Sequence, residues 1–264
     1  MDVYIRTLAR YDGLWEALDI LGGPAEGPVA FGGELGPQTL LAAYRRGLYP
    51  FPAGTAEQRI VNELIYESAV DAGSVKVLPG SDEPYSIAWC SPDPRPVIRV
   101  EQARFQRSLR QQLRNRTTWT TTADVCFERV VRQCRAGRAE HWLTDDLLRG
   151  LCVLHELGHA HSVEVWDGDE LIGGTFGVRV GAVFSADSQF TLRSGAGKAA
   201  VVDLTRRFAE AGGLAVDVQR DGDHVRLLGA TPIPRPEYLT LLATTRHASR
   251  PLATERLPAR RLAG

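Results

Sequence analysis

Residues 155–190, HELGHAHSVEVWDGDELIGGTFGVRVGAVFSADSQF, constrain the fold more than any other part of the chain. Val163 and Val165 alternate with Ser162, Glu164 and Trp166, the period of a half-buried strand. Asp167-Gly168-Asp169 is turn chemistry, and Leu171–Val180 and Ala182–Phe190 are rich in β-branched and aromatic residues on either side of Gly181. The spacing predicts the end of a helix, then three short strands that meander into a floor on which a site can be built.

The stretch opens on His155-Glu156-Leu157-Gly158-His159, which fits H-E-x-x-H, the zinc motif with Glu as base. That chemistry needs helix through the second His. Gly158 and a strand beginning near His161 predict that the helix stops first. His161, only two residues past His159, is poorly placed as a third ligand. The histidines are therefore expected to close a helix end and bond backbone, with no metal.

A chain of 264 residues with 44% hydrophobic and 24% charged residues can bury a sizeable core in one or two domains. No apolar run approaches a membrane span, and MDVYIRTLARYDG lacks a basic-then-apolar signal pattern. Cys90, Cys126, Cys134 and Cys152 form no CxxC, so free thiols in a cytoplasmic protein are expected. The net charge of −1 argues mildly against nucleic acid, but it is unevenly placed. Residues 53–88 hold Glu57, Glu63, Glu67, Asp71, Asp82 and Glu83 against Arg59 and Lys76, a local −4 that leaves +3 elsewhere.

Along the chain, residues 1–30 read as an irregular or short-strand entry. A helix is predicted over Gln38–Arg46, with Leu40, Leu41 and Tyr44 on one face and Gly47 as its stop. Ile60, Val61, Leu64 and Ile65 predict a helix near 56–70, followed by a loop or strand pair over Ser74–Glu83. Trp89–Arg95 is proline-rich and extended and joins two lobes. Phe105, Leu109 and Leu113 make a buried helix stripe. Arg104, Arg107, Arg110 and Arg114 lie on another face, which suits either the phosphates of a nucleic acid or solvent. Asp124–Arg135 and Asp145–Leu157 read as helices, the second capped by Thr144. Gly195-Ala196-Gly197-Lys198 opens a helix ending near Gly212, and a Gly-rich turn there is a ready anion site. It is not a P-loop, because Leu192 stands where the first Gly would fall. The Arg-rich tail, Arg246–Gly264, is expected to be loosely ordered.

Several ordered motifs carry a resemblance. They are FGGELGPQTLLAAYRRGLYPF at Phe31–Phe51, WCSPDPR at Trp89–Arg95, Trp142-Leu143-Thr144, HELGHAHSVEVW, the following LIGG, AVDVQ at Ala215–Gln219 and LGATPIPRPEYL at Leu228–Leu239. Over roughly residues 25–242 the chain resembles the leucyl/phenylalanyl-tRNA–protein transferases, which move an aminoacyl group from charged tRNA onto the N-terminal Arg or Lys of a protein. The resemblance implies an α/β (α+β) fold. It comprises a small N-terminal lobe at 1–95, with an acidic insertion at 53–88 that the family lacks, and a GCN5-related N-acyltransferase-like lobe at 96–264. It implies aminoacyl-tRNA and an acceptor amine as partners, with no membrane. The ester is already activated, so no metal, ATP or other cofactor is needed. The insertion covers the entrance, alters the acceptor or only decorates the surface. A coenzyme A-dependent N-acyltransferase is the competing class, through the Gly-rich turn.

In AVDVQ, alternation places Ala215, Asp217 and Gln219 on one strand face. By resemblance Asp217 and Gln219 are the catalytic pair, Asp217 orienting the nucleophilic amine through Gln219. Phe51 stands where the family has an aromatic that stacks on the terminal adenine of tRNA; such stacking is worth roughly 1–3 kcal/mol per base. A Phe packing a small core is the other reading. The remaining walls are Trp142, Thr175, Phe184, Asp187, Ser188, Gln189 and Val216. Where the family has G-E-S-M-F, this chain has Ala186-Asp187-Ser188-Gln189-Phe190, and Asp187 replaces the Glu that meets the amino group of the transferred residue. Thr175 and Gln189 stand at two pocket methionines, and TLRSGAGK at Thr191–Lys198 replaces S-R-x-x-N-A-S-K. Polar pocket walls imply a smaller or more polar transferred residue. A small-molecule acceptor in a biosynthetic pathway is an alternative to the protein N-terminus.

Overall fold

The computed structural model describes residues 15–79, 81, 83–104, 106–115, 117–136, 142–247 and 250–264. Residues 1–14, Asp82 and Phe105, which carried some of the expectations above, lie outside them. Two sheets organise the chain. The smaller contains β1 (Pro28–Phe31), β2 (Tyr49–Pro52), β3 (Lys76–Val77) and β4 (Ile87–Cys90), in the order β2-β4-β1-β3. The larger contains β5 (Arg95–Arg99), β6 (Thr120–Ala123), β7 (Ala160–Asp167), β8 (Glu170–Val180), β9 (Val183–Thr191), β10 (Ala215–Asp217), β11 (Thr231–Ile233) and β12 (Leu257–Pro258). Its order is β11-β5-β10-β9-β8-β7-β6-β12, an α+β architecture. Trp89–Arg95 runs from the smaller sheet to the larger, as its sequence predicts.

Eight α-helices lie wholly within the described residues: α1 (Pro37–Arg45), α2 (Ala56–Asp71), α3 (Arg107–Asn115), α4 (Phe127–Arg135), α5 (Asp145–Glu156), α6 (Ala196–Glu210), α7 (Asp223–Arg226) and α8 (Arg235–Thr245). The Thr144 side chain caps α5 by accepting from Leu147 N–H, with Asp145 and Asp146 in the first turn. Gly158 at φ +77° ends it. Helix α4 begins later than expected, because Asp124 adopts φ +58° and Cys126, in the N-cap position, is not helical.

The three central strands are long rather than short. Gly168 (φ +60°) and Gly181 (φ +58°) close tight hairpins on either side of β8. β7 is buried on both faces, not half-buried: Ser162 and Glu164 have no exposure. Helix α6 packs against it with Val163 and Val165, and a second core containing Phe127, Val130 and Trp166 covers the other side. The Glu164 carboxylate is held there by the Ser162 and Thr122 hydroxyls.

The inserted helix α2 forms where expected, but its apolar residues are not buried. Ile60, Val61, Leu64 and Ile65 are 50–76% exposed. Tyr66, Ala69 and Val70 hold the helix to the core instead, with the Thr55 cap and an Asn62 bond to Tyr85 O. The segment after it supplies one strand, β3, parallel to β1.

The tail is docked rather than loose. β12 pairs with β6, and Leu252, Ala259, Leu262 and Ala263 are buried. Arg207, inside α6 and 1% exposed, pairs with Asp203 at 2.9 Å and donates to Thr121 O, Ala253 O and Glu255 O; Arg261 also pairs with Asp203. Removing one member of a buried ion pair leaves the other uncompensated. Arg207→Ala is therefore expected to cost about 3 kcal/mol of stability. Urea denaturation checks this, and a loss within experimental error would show that the tail is held by its apolar contacts alone.

Candidate active site

The site lies where the two sheets meet. Its floor depends on a slip in pairing between β8 and β9. Phe176 pairs with Ser188, but Gly177 pairs with Ala186, so Asp187 is the extra residue of a β-bulge. A Cβ at Gly177 would lie 1.9 Å from Ser185 O, so only glycine fits opposite the bulge. The bulge breaks strand alternation, and Ala186, Asp187, Ser188 and Gln189 all line one cavity of about 470 Å³. Thr175, Thr191, Val218, Gln219, Arg220 and His224 complete that side, and Tyr49, Pro50, Phe51 and Trp142 face them.

Asp187 is half-buried. It accepts from Tyr44 Oη at 2.8 Å on Oδ2 and from Gln219 Nε2 at 2.6 Å on Oδ1. Burial pushes its carboxyl up to about 7, Asp217 adds to this, and the two hydrogen bonds oppose it. The Thr175 hydroxyl donates to Ser188 O at 2.9 Å, while the Ser188 Oγ is buried without a hydrogen-bond partner among the described residues.

Asp217 is placed differently from the expectation. It has no exposure and does not line the cavity. Its carboxylate accepts two bonds from Arg95 (2.8 and 2.7 Å), one each from Tyr238 Oη and Ser185 Oγ (2.9 Å each), and one from Gln219 N–H (2.8 Å). Burial works against the Arg95 cation, but Asp217, Tyr238 and Tyr49 hold its pKa above the ordinary arginine value. Tyr238 is likewise raised, first by burial and then by Asp217.

Gln219 does not continue the strand. β10 ends at Asp217, and Gln219 turns into the left-handed region at φ +61°, a conformation uncommon outside glycine. That turn brings its amide to the cavity. Nε2 donates to Ser185 Oγ (3.1 Å) and to Asp187 (2.6 Å), which leaves Oε1 facing away from both. The Ser185 hydroxyl accepts from Gln219 and donates to Asp217, so the buried carboxylate sets the direction of the whole chain.

Phe184 and Val216 are fully buried under the sheet in the α6 core and do not line the cavity, contrary to the sequence reading. Their strands face α6 at those positions. Phe51 is both a packed residue and a rim residue. Its ring runs parallel to Trp142, centroids 5.8 Å apart, and the Arg220 guanidinium lies over it at 4.4 Å. Arg95, Tyr238, Ser185 and Tyr44 were not singled out from sequence. Arg95, Tyr44 and Tyr238 do fall inside motifs that carry the resemblance, and that was the available signal.

Two competing sites take different shapes. Helix α5 ends before His159, so His155 and His159 do not share a helical face. His155 Nδ1 meets Ala160 O at 2.8 Å with its ring stacked on Phe127, and His161 Nδ1 meets Asp124 at 2.8 Å. The Gly-rich turn before α6 is packed shut: Ala196 has no exposure, and a Cβ at Gly197 would meet Thr191 Oγ1 at 2.3 Å. Lys198 is bonded to Gln106, and none of residues 195–198 lines the cavity.

Comparison with known proteins agrees with the motifs. Residues 97–243 match the family model described as leucyl/phenylalanyl-tRNA protein transferase. A leucyl/phenylalanyl-tRNA–protein transferase of Xanthomonas axonopodis pv. citri is 36% identical over 218 residues, 81% of this chain and 76% of its own. That of Shewanella piezotolerans is 37% identical over 82% of this chain and 80% of its own. That of Photobacterium profundum is 33% identical over 94% and 93%. Among solved structures, a conserved protein from Bacteroides thetaiotaomicron covers 94% of this chain and 96% of its own at 12% identity; its TM-score of 0.41 is too low to carry an argument. With this identity over most of both lengths, the chain belongs to the leucyl/phenylalanyl-tRNA–protein transferase family and is an aminoacyltransferase.

Proposed function

We propose that this protein transfers an aminoacyl group from charged tRNA to the α-amine of an acceptor protein's N-terminal residue in the cytoplasm, and that the transferred residue is smaller or more polar than leucine or phenylalanine. The observation that carries the reading is the pairing of Asp187 and Gln219 on the cavity floor, held from behind by Ser185, Asp217 and Arg95. The change of sheet between Cys90 and Arg95 supports a division into two lobes near residue 95.

Aminolysis needs two substrates held in line, a neutral amine and a route for its proton. The Phe51–Trp142 pair offers a flat shelf for the terminal adenine. The ionised Asp187 anchors the amino group of the transferred residue. Gln219, its Nε2 hydrogens engaged by Ser185 and Asp187, presents Oε1 to an N–H of the incoming amine. The amine nitrogen attacks the ester carbonyl, the bond to the ribose oxygen breaks, and the proton lost by nitrogen ends on that oxygen. Asp217 touches neither substrate; it positions Gln219. The exposed Arg107, Arg110 and Arg114 on α3 form a face that suits the tRNA backbone.

Specificity rests on Thr175 and Gln189 in the cavity wall. A panel of radiolabelled aminoacyl-tRNAs with an Arg-initiated peptide tests it. We expect small or polar residues to be transferred, and the Thr175→Met, Gln189→Met double variant to shift preference toward Leu and Phe by about tenfold, the scale of an apolar fit in a pocket. Transfer of Leu and Phe alone by the parent protein would sink the altered specificity while leaving the transferase reading intact.

A further inference from the structure

The cavity has a cation at its mouth, Arg220, without an ion-pair partner among the described residues. Arg220 follows the left-handed turn at Gln219, which throws the chain off β10 toward the rim. Its guanidinium lies 4.4 Å from the centre of the Phe51 ring. Among the described residues no carboxylate stands within ion-pair distance of it. Neighbouring Asp221 is taken by Arg226, and Arg95 on the inner side is taken by Asp217. The carboxylate of the cavity, Asp187, sits on the floor, engaged by Tyr44 and Gln219.

This polarity, carboxylate at the floor and cation at the rim beside an aromatic shelf, matches an aminoacyl nucleotide entering amine first. A guanidinium can keep its face on an aromatic ring while its edge N–H groups fork toward an anion. Building on the proposed function, we infer that Arg220 is an anion subsite for the phosphodiester on the 5′ side of the terminal adenosine of charged tRNA. The same chemistry would fit a carboxylate of the transferred or accepting residue, and the test separates these sources.

The probes are 3′-alanylamino-3′-deoxyadenosine, which is amide-linked and cannot react, and the same molecule extended by a 5′-linked cytidylyl phosphodiester. Their Kd values are measured on the full chain, its Arg220→Leu variant and its Arg220→Lys variant. Expected is about tenfold tighter binding of the extended probe by the parent, an advantage lost in Arg220→Leu and partly kept in Arg220→Lys. The salt slope of log Kd for the extended probe should fall by about 0.7 in Arg220→Leu, one phosphate's worth for a single strand. Equal parent affinity for the two probes, or equal loss for both in Arg220→Leu, would overturn the subsite and point to the base or the aminoacyl group. Absence of binding of either probe to the parent would overturn it as well. Turnover of charged tRNA is read separately: a parent that binds as expected but transfers nothing refutes the proposed function, not the subsite.

Discussion

Asp217→Ala is expected to be the most damaging single change in the protein. The carboxylate accepts five hydrogen bonds with no exposure, and its removal strands the Arg95 cation, itself 1% exposed. Breaking one side of such a buried pair costs about 3–5 kcal/mol. The catalytic consequence comes through geometry. Without Asp217 the Ser185 hydroxyl is free to turn and the Gln219 backbone loses its 2.8 Å anchor. Misplacement of a reacting group by about 1 Å costs about 100-fold, so transfer should fall at least that far in the folded variant. Urea denaturation and single-turnover transfer measure the two effects. Asp217→Ala with parental transfer and lowered stability would reduce this carboxylate to a purely structural role. Arg95→Ala should reproduce both losses, because it leaves the same carboxylate buried and unpaired.

Transfer should rise with pH through about 7, a limb distinct from the further rise toward about 8 that deprotonation of the acceptor amine gives. The group responsible is Asp187, whose carboxyl is pushed up to about 7 chiefly by burial and must be ionised to hold an ammonium group. Asp187→Asn keeps the shape, loses the charge, and should lower kcat/KM by about 10- to 100-fold, the worth of a hydrogen bond to a charged group. It should also flatten the acidic limb. The acceptor amine titrates near 8 in ordinary peptides, so a limb that survives unchanged in Asp187→Asn would belong to the acceptor. The same shift has a stability consequence of opposite sign. The folded protein binds this proton more tightly than the unfolded chain does. Its contribution to stability is therefore greatest below the ordinary carboxyl pKa of 3.8 and is lost as pH rises toward about 7. Asp187→Asn should remove that decline, visible as a flatter dependence of the melting temperature on pH.

Much of the architecture was legible in one chain. The hairpins around Gly168 and Gly181, the Thr144 cap, the stop at Gly158 and the passage at Trp89–Arg95 are local signals, each set by backbone conformations that a few neighbouring residues dictate. The ordered motifs also identified the family, and Asp187 and Gln219, singled out with it, do line the cavity and bond each other. Burial was less legible. The face of β7 bearing Ser162 and Glu164 and the tail after Arg246 are covered by partners distant in sequence. Four aliphatic residues of α2 have helical spacing yet find no cover among the described residues.

The position of each site atom was a tertiary matter. Strand alternation put Asp217 and Gln219 on one face, but the strand ends between them, and a left-handed residue carries Gln219 to the cavity while Asp217 stays behind it. Phe184 and Val216 went to the opposite face for the same reason that Asp187, Ser188 and Gln189 all reached the cavity: register and bulge, not composition, decide where a side chain points. Sequence alone determined which chemical groups the protein owns, the local turns and the family. Only the tertiary structure decided which carboxylate is locked to Arg95 and which lines the cavity with its pKa raised to about 7, because partners more than a hundred positions away complete each setting.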